Sequence, residues 1–242
     1  CGKCADVCPY SAIANFKRPC ERACKFDAIS MAEEGEAQID NDKCVACGAC
    51  VYQCPFGATV DVSSIVDVIH TIKESEDNKK YKVYAMVAPA IASQFTYAKM
   101  GQVITAIKEL GFYTVTEAAL GADMVAYDEA QELIEKDFLT SSCCPAFVRY
   151  IKTKFPELTD HISHNLSPMA TLGKFIKEHD KDAKIVFIGP CTAKKAEIKQ
   201  DHVKDYIDYV MTFEELQALI DSKDIIVEEL PETSLDEASY FG

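Results

Sequence analysis

Nine of the twelve cysteines lie between residues 1 and 60: Cys1, Cys4, Cys8, Cys20, Cys24, Cys44, Cys47, Cys50 and Cys54. Thiolates are soft metal ligands, so their spacing says what they can hold. Cys44-x2-Cys47-x2-Cys50-x3-Cys54-Pro55 is the rhythm in which three close thiolates grip one iron–sulfur cube. The fourth, followed by proline, is directed at a neighbouring cube. Structural zinc sites use paired CxxC units instead. A secreted disulfide domain concentrates cysteines but does not need this rhythm. Cys1-x2-Cys4-x3-Cys8-Pro9 reads as the last three-quarters of a second run, and Cys20-x3-Cys24 as the last two cysteines of a third. Tyr10-Ser11-Ala12-Ile13 echoes Phe56-Gly57-Ala58-Thr59, so one small unit is repeated.

In a paired-run iron–sulfur protein, each cube takes three cysteines from one run and the last from the other. Cys24, Cys44, Cys47 and Cys50 then form one complete site for a 4Fe–4S cluster. Cys20 and Cys54 need two further partners, which Cys1, Cys4 or Cys8 can supply. Alternatively those three belong to an upstream cube. One or two clusters are therefore expected in residues 1–60. The short apolar pieces Ala12-Ile13, Ala28-Ile29 and Gln38-Ile39 suit a small α+β, ferredoxin-like wrapper.

Only Cys143, Cys144 and Cys191 follow, and the elements around them alternate. Residues 61–80 read as a connector, with an apolar helix over 62–72 and a charged loop over 73–80. Residues 81–88 read as a buried strand ended by Pro89. Further strands are expected over 112–115, 137–141, 184–189 and 209–212. Helices are expected over 100–110, 122–136, 146–154, 166–178, 193–200 and 213–221. Such alternation predicts an α/β domain over 81–242 with a mostly parallel sheet. In such sheets function gathers where strands end and helices begin. Residues 87–90, 141–145 and 189–195 sit there, each with a proline. Five of the nine prolines adjoin a cysteine, as fits thiolates held in tight turns.

Ser141-Ser142-Cys143-Cys144-Pro145-Ala146-Phe147, together with Pro190-Cys191-Thr192-Ala193-Lys194-Lys195-Ala196-Glu197, resembles the iron-only (FeFe) hydrogenases, with Ala146-Phe147 similar to a clostridial-type monomeric subgroup. The resemblance implies ferredoxin cubes followed by a catalytic domain that reversibly reduces protons to H2. It also implies an H-cluster, a cubane joined to a two-iron unit, in the complete parent protein. By resemblance, Cys144 and Cys191 are cubane ligands, and Cys143 is the thiol that passes protons to the two-iron unit. Lys194 matches the lysine that donates to an iron cyanide. Pro89, Ala90, Met169 and Pro190 match positions around the cluster; a serine is common at Ala90, a glutamine at Met169 and a methionine at Gly189. Glu129 and Glu132, three residues apart on one helix, match a proton relay with Ser163 and Cys143. Without the resemblance, two glutamates on an acidic helix read as a solvated face.

The family's third cysteine motif does not occur before Tyr240-Phe241-Gly242. With a first residue that is not methionine and a bisected run at Cys1, the expectation is a fragment of a longer hydrogenase, inactive alone. Alternatives are an iron–sulfur assembly relative without the two-iron unit, an electron-transfer ferredoxin with an appended domain, or a hydrogen sensor. Expected partners are ferredoxin or a similar electron carrier, H2 and protons as substrates, and maturation proteins. An excess of 39 acidic over 25 basic residues, net −14, repels phosphate and excludes nucleic acid. No apolar run reaches the roughly 18–20 residues that span a bilayer. Free thiols and oxygen-labile cubes predict an anaerobic cytoplasm. His70, His161, His164, His179 and His202 have no metal spacing and read as surface residues. Glycine-rich nucleotide loops are absent.

Overall fold

The computed structural model describes residues 7–10, 12–13 and 17–239. Cys1, Cys4 and Ser11 lie outside the described residues. The chain divides into two compact units, Cys1–Asp61 and Val62–Gly242.

The first unit is built from short pieces. Helix α1 (Pro19–Ala23) starts on a proline, whose missing N–H costs nothing at a helix start, and buries Cys20. Strands β1 (Ile29–Met31) and β2 (Ala37–Ile39) pair antiparallel, with Ile29 opposite Ile39 and Met31 opposite Ala37. Their connection turns at Gly35, whose φ of 85° favours glycine. Helix α2 (Ala49–Tyr52) packs on α1. Ala28-Ile29 and Gln38-Ile39 thus take part in the expected α+β unit. Ala12-Ile13 does not: both residues are exposed and form no strand. A strand needs a partner, and β1 and β2 pair with each other.

In the second unit, α3 (Ile65–Glu74) precedes β3 (Val83–Val87). There follow α4 (Ile91–Gln94), α5 (Met100–Glu109), β4 (Thr114–Glu117) and α6 (Ala119–Glu135). Next come α7 (Pro145–Lys154), a 3-10 turn (Pro156–His161) and α8 (Pro168–His179). Strand β5 (Lys184–Ile188), α9 (Ala193–Glu197), β6 (Tyr209–Met211), α10 (Phe213–Asp221) and a 3-10 turn (Val227–Glu229) complete the described elements. The sheet is wholly parallel in the order β4-β3-β5-β6. Val83, Ala85, Met86 and Val87, with Ile185 to Ile188, are almost fully buried, because central parallel strands are covered on both faces and read as apolar runs. Val68 of α3, Ile104 and Ile107 of α5, Leu172 and Ile176 of α8, and Leu216 and Ile220 of α10 fill the same core.

Two expectations are corrected. Residues 137–141 form no strand; Thr140 makes a single parallel bridge to Ile162. Its N–H donates to His161 O at 2.7 Å and its carbonyl accepts from Ser163 N at 2.8 Å. The stretch is tethered to a loop, and Phe138 is 43% exposed, so no sheet edge receives it. The helix expected over 193–200 stops at Glu197 and gives way to turns.

A segment past α10 also joins the sheet. The Asp236 carboxylate accepts from Thr114 Oγ1 at 2.7 Å, Val115 N at 2.9 Å and Lys108 Nζ at 2.8 Å, and Thr116 bridges Glu237 in parallel.

Helices α6 and α8 approach closely at Gly121. A Cβ there would run into the carbonyl oxygen of Pro168 and stand 3.0 Å from Leu172 Cβ. Backbone cannot move aside as a flexible side chain can. Gly121→Ala is therefore expected to destabilise the second unit by about 1–3 kcal/mol, despite alanine's better helix propensity. Thermal unfolding checks this, with the exposed Ala126→Gly as the control; a raised melting temperature for Gly121→Ala would refute the close-packing argument.

Candidate cluster and proton-relay site

The C-terminal ends of the central strands set the site. Ala88 N donates to Ile188 O at 2.8 Å, and Gly189 N to Met211 O at 3.0 Å, so the ladder continues past β3 and β5. A Cβ on Gly189 would lie 2.7 Å from Phe187 Cε1 and 3.1 Å from Ala88 Cβ. Glycine therefore suits this crossing of the two strand ends. Pro89, Ala90 and Pro190, just beyond it, are exposed.

Cys144 occupies the N-cap of α7 in extended backbone, φ −107° and ψ 108°, and Pro145 takes the first helical position. Cys144 is half-buried while its neighbour Cys143 is exposed. Cys143 N donates to Ser141 Oγ at 3.3 Å, and Ser142 Oγ donates to Asn165 O at 2.6 Å. Cys191, half-buried, leads into α9.

Lys194 joins the two cysteine loops. Its Nζ donates to the Cys143 carbonyl at 3.1 Å and lies 2.6 Å from Glu197 Oε2. The Lys194 and Glu197 side chains are 9% and 7% exposed. The contact with Glu197 is an ion pair off the hydrogen-bonding direction, for Oε2 has no hydrogen-bond partner among the described residues. A cation thus sits buried beside the cysteine loops. Lys195 is used differently: its Nζ meets Val62 O at 2.9 Å and both Glu215 oxygens at 2.9 and 2.8 Å.

Of the expected relay residues, Glu132 and Ser163 come together near this loop through Asn165. Glu132 accepts from Lys136 Nζ at 2.8 Å and from His164 N at 3.2 Å, and its Oε1 lies 2.6 Å from His164 Nδ1. Burial pushes its pKa up, but these hydrogen bonds outweigh burial and hold the carboxyl at about 2. Ser163, buried, reaches Glu132 through Asn165, whose Nδ2 lies 3.1 Å from Ser163 Oγ and 3.3 Å from Glu132 Oε2. Asn165 in turn holds Ser142 through its carbonyl. Glu129 Oε1 is buried with no hydrogen-bond partner among the described residues. Met169, 1% exposed, is packed in the core at the start of α8. Asn165, His164 and Glu197 were missed by sequence reasoning; only the proximity of His164 and Asn165 to Ser163 pointed to the first two.

In the first unit the cysteines sit where backbone N–H groups converge on sulfur. Ala28 N donates to Cys24 Sγ at 3.3 Å, Ala46 N to Cys44 Sγ at 3.4 Å and Ala58 N to Cys54 Sγ at 3.2 Å. Ala46, at φ 57°, and Gly48, at φ 77°, curl the loop between Cys44 and Cys50. Backbone N–H groups of Thr59 and Phe56 bring the Cys54 thiol down to about 7, whereas burial pushes Cys50 up. Cys8, Cys24, Cys44, Cys50 and Cys54 are half-buried, Cys20 is buried and Cys47 exposed. Among the described residues no three His, Cys, Asp or Glu side chains gather as they would about a single metal ion. Soft thiols with N–H donors trained on sulfur fit an iron–sulfur cluster, whose charge such bonds stabilise.

No helix among the described residues is long and apolar enough to cross a membrane. Residues 1–58 match the family model of the 4Fe-4S dicluster domain, which makes the N-terminal cysteine runs part of an iron–sulfur module. The chain is 28% identical to the periplasmic Fe hydrogenase large subunit of Nitratidesulfovibrio vulgaris, over 82% of this chain and 61% of that one. It is 26% identical to the cytosolic Fe-S cluster assembly factor NAR1 of Scheffersomyces stipitis, over 76% of this chain and 39% of that one. The fold is similar to apo FeFe-hydrogenase HydA1 of Chlamydomonas reinhardtii, with TM-score 0.63, 26% identity and coverage of 72% of this chain and 51% of that one. The chain therefore spans about two fifths to three fifths of the length of these relatives. Residues 81–241 match the model named iron only hydrogenase large subunit, C-terminal domain, and the chain belongs to that family.

Proposed function

We propose that this chain is the cluster-binding and proton-handling part of a hydrogenase that catalyses 2 H⁺ + 2 e⁻ ⇌ H2. The observation that carries the reading is the 3.1 Å bond from buried Lys194 to the Cys143 carbonyl, which ties both cysteine loops to one cation. Cys144 and Cys191 supply two thiolates to a cubane whose other ligands come from outside these loops. The H-cluster, when bound, supplies the hydrogen chemistry. Lys194 neutralises an anionic group beside the thiolates, where a buried cation acts with little screening. Exposed Cys143 holds and moves a proton at Sγ. Pro89, Ala90, Pro190 and Met169 shape the surrounding wall.

Protons reach Cys143 along Glu132, Ser163 and Glu129, with Asn165 holding Ser163 and Glu132 in register. Cys24, Cys44, Cys47 and Cys50 hold one 4Fe–4S cluster. Cys20 and Cys54 belong to a second, with Cys1, Cys4 or Cys8 as further ligands. These clusters pass electrons from ferredoxin or a similar carrier in an anaerobic cytoplasm, and maturation proteins load the two-iron unit. Residues 1–60, 61–80 and 81–242 act as electron-transfer module, connector and partial catalytic domain.

The assembly-factor relative favours a second reading, a scaffold that binds cubanes without hydrogen chemistry. The bond from Lys194 to the Cys143 carbonyl argues against it, because a scaffold has no use for a buried cation that ties the two cysteine loops together.

Two outcomes test the assignment. Anaerobic reconstitution with iron and sulfide is expected to give a cubane resonance signal, and Cys47→Ala to lose about four irons per chain together with the part of that signal due to its cluster. An unchanged signal and iron content in Cys47→Ala would remove Cys47 from the cluster. In matured holoenzyme, Cys143→Ser is expected to keep its iron but slow hydrogen turnover by roughly a hundredfold or more, since a hydroxyl is a far weaker acid than a thiol. Cys144→Ser is expected to lose cubane iron. The opposite pattern would exchange their roles, and full activity in both would remove this motif from hydrogen chemistry.

A further inference from the structure

His164 lies at the outer end of the Glu132 network. Its side chain is 78% exposed, whereas that of Glu132 is 14% exposed. Two contacts join them: Nδ1 to Glu132 Oε1 at 2.6 Å, and the His164 backbone N–H to Oε2 at 3.2 Å. The charged neighbours with contacts to the pair are few. Lys136 Nζ lies 2.8 Å from Glu132 Oε1 and 3.4 Å from His164 Nδ1, and donates to Asp160 O at 2.9 Å. Asn165 approaches Glu132 from the same loop.

Glu132 thus meets one ammonium and one imidazole on its outer side. An ammonium gives up protons reluctantly near neutrality, and Lys136 is held by two oxygens, so it fixes charge rather than delivering protons. Imidazole changes charge in the neutral range and presents two nitrogens. Here one faces the relay and the ring faces solvent.

We propose that His164 is the solvent-side member of the relay, collecting protons from water and handing them to Glu132. The inference rests on the hydrogenase reading above. In proton reduction the Nδ1–H bond of an imidazolium breaks and an O–H bond forms on Glu132 Oε1. The ring is left neutral and the carboxyl neutral. The exposed ring then swings out, Nδ1 takes a proton from water or buffer, and the ring returns. Hydrogen oxidation runs the same step backwards. Handing over the proton removes one of the two cations beside the carboxyl, while Lys136 stays in place at 2.8 Å. His164 touches no reacting atom of the hydrogen chemistry; it acts through Glu132 as a positioning and proton-entry residue.

Two measurements test this. In the chain as it stands, the NMR signals of the His164 ring nitrogens read its contact with Glu132. Glu132→Gln is expected to move the Nδ1 resonance away from its hydrogen-bonded position; an unmoved resonance overturns the inference. In matured holoenzyme, His164→Ala is expected to slow turnover roughly tenfold in buffers without imidazole, less than a donor at the reacting bond because water partly replaces it. Added imidazole is expected to restore most of the rate and to shift the pH profile towards that of the wild type. Wild-type turnover in His164→Ala, or a loss that imidazole does not repair, overturns the inference while leaving the hydrogenase reading intact. A wild type that holds its iron yet turns over no hydrogen overturns the hydrogenase reading, and the relay with it, even where the NMR coupling persists.

Discussion

The pair formed by Lys194 and Glu197 anchors the cysteine loops of the second unit. Both side chains are almost wholly withdrawn from water, and removing one partner of such a pair typically costs about 3–5 kcal/mol by leaving the other charged and alone. The pair persists because α9 holds both residues one turn apart and because the ammonium has a second task at the Cys143 carbonyl. One buried charge therefore fixes the relation between a loop at the end of β5 and the start of α7. Glu197 supplies the negative charge that offsets the burial of this cation, from one turn further along the same helix.

The iron–sulfur half uses a different device. Its helices have four and five residues, too short to stand by helical hydrogen bonding alone. Order comes instead from backbone N–H groups turned toward cysteine sulfur, at Ala28, Ala46 and Ala58. Ala46 adopts a left-handed backbone that a non-glycine residue seldom takes, and its N–H is thereby turned toward Cys44 Sγ.

Much of this was legible in the chain because the signals are local. The cysteine rhythm from Cys44 to Cys54 names its chemistry, and the unbroken apolar runs ending at Val87 and Ile188 announce central parallel strands. Motif loops at the ends of those strands followed from the topology. What was hidden depends on partners distant in sequence. His164 and Asn165 gain meaning only through Glu132, more than thirty residues earlier. Residues 137–141 carry strand-like side chains, yet their partner is a loop, so one bridge forms and a strand does not. Gly121 and Gly189 matter for a missing Cβ, and composition cannot say what that Cβ would meet.

The strap at Asp236 bears on how the molecule behaves among copies of itself. Strand β4 lies at the margin of the parallel sheet, where unpaired N–H and C=O groups offer a template to any extended chain. Asp236 takes the Val115 N–H, Glu237 bridges Thr116, and Glu117 N donates to Glu237 O at 2.9 Å, so the outward hydrogen-bonding row of β4 is already engaged. Ser239 Oγ then fastens the strap to Asp123 at 2.7 Å. A carboxylate sited on a sheet margin also repels a second acidic chain, and this one carries a net charge of −14. The segment thus acts as a selvedge that stops the sheet from growing sideways into intermolecular β-structure.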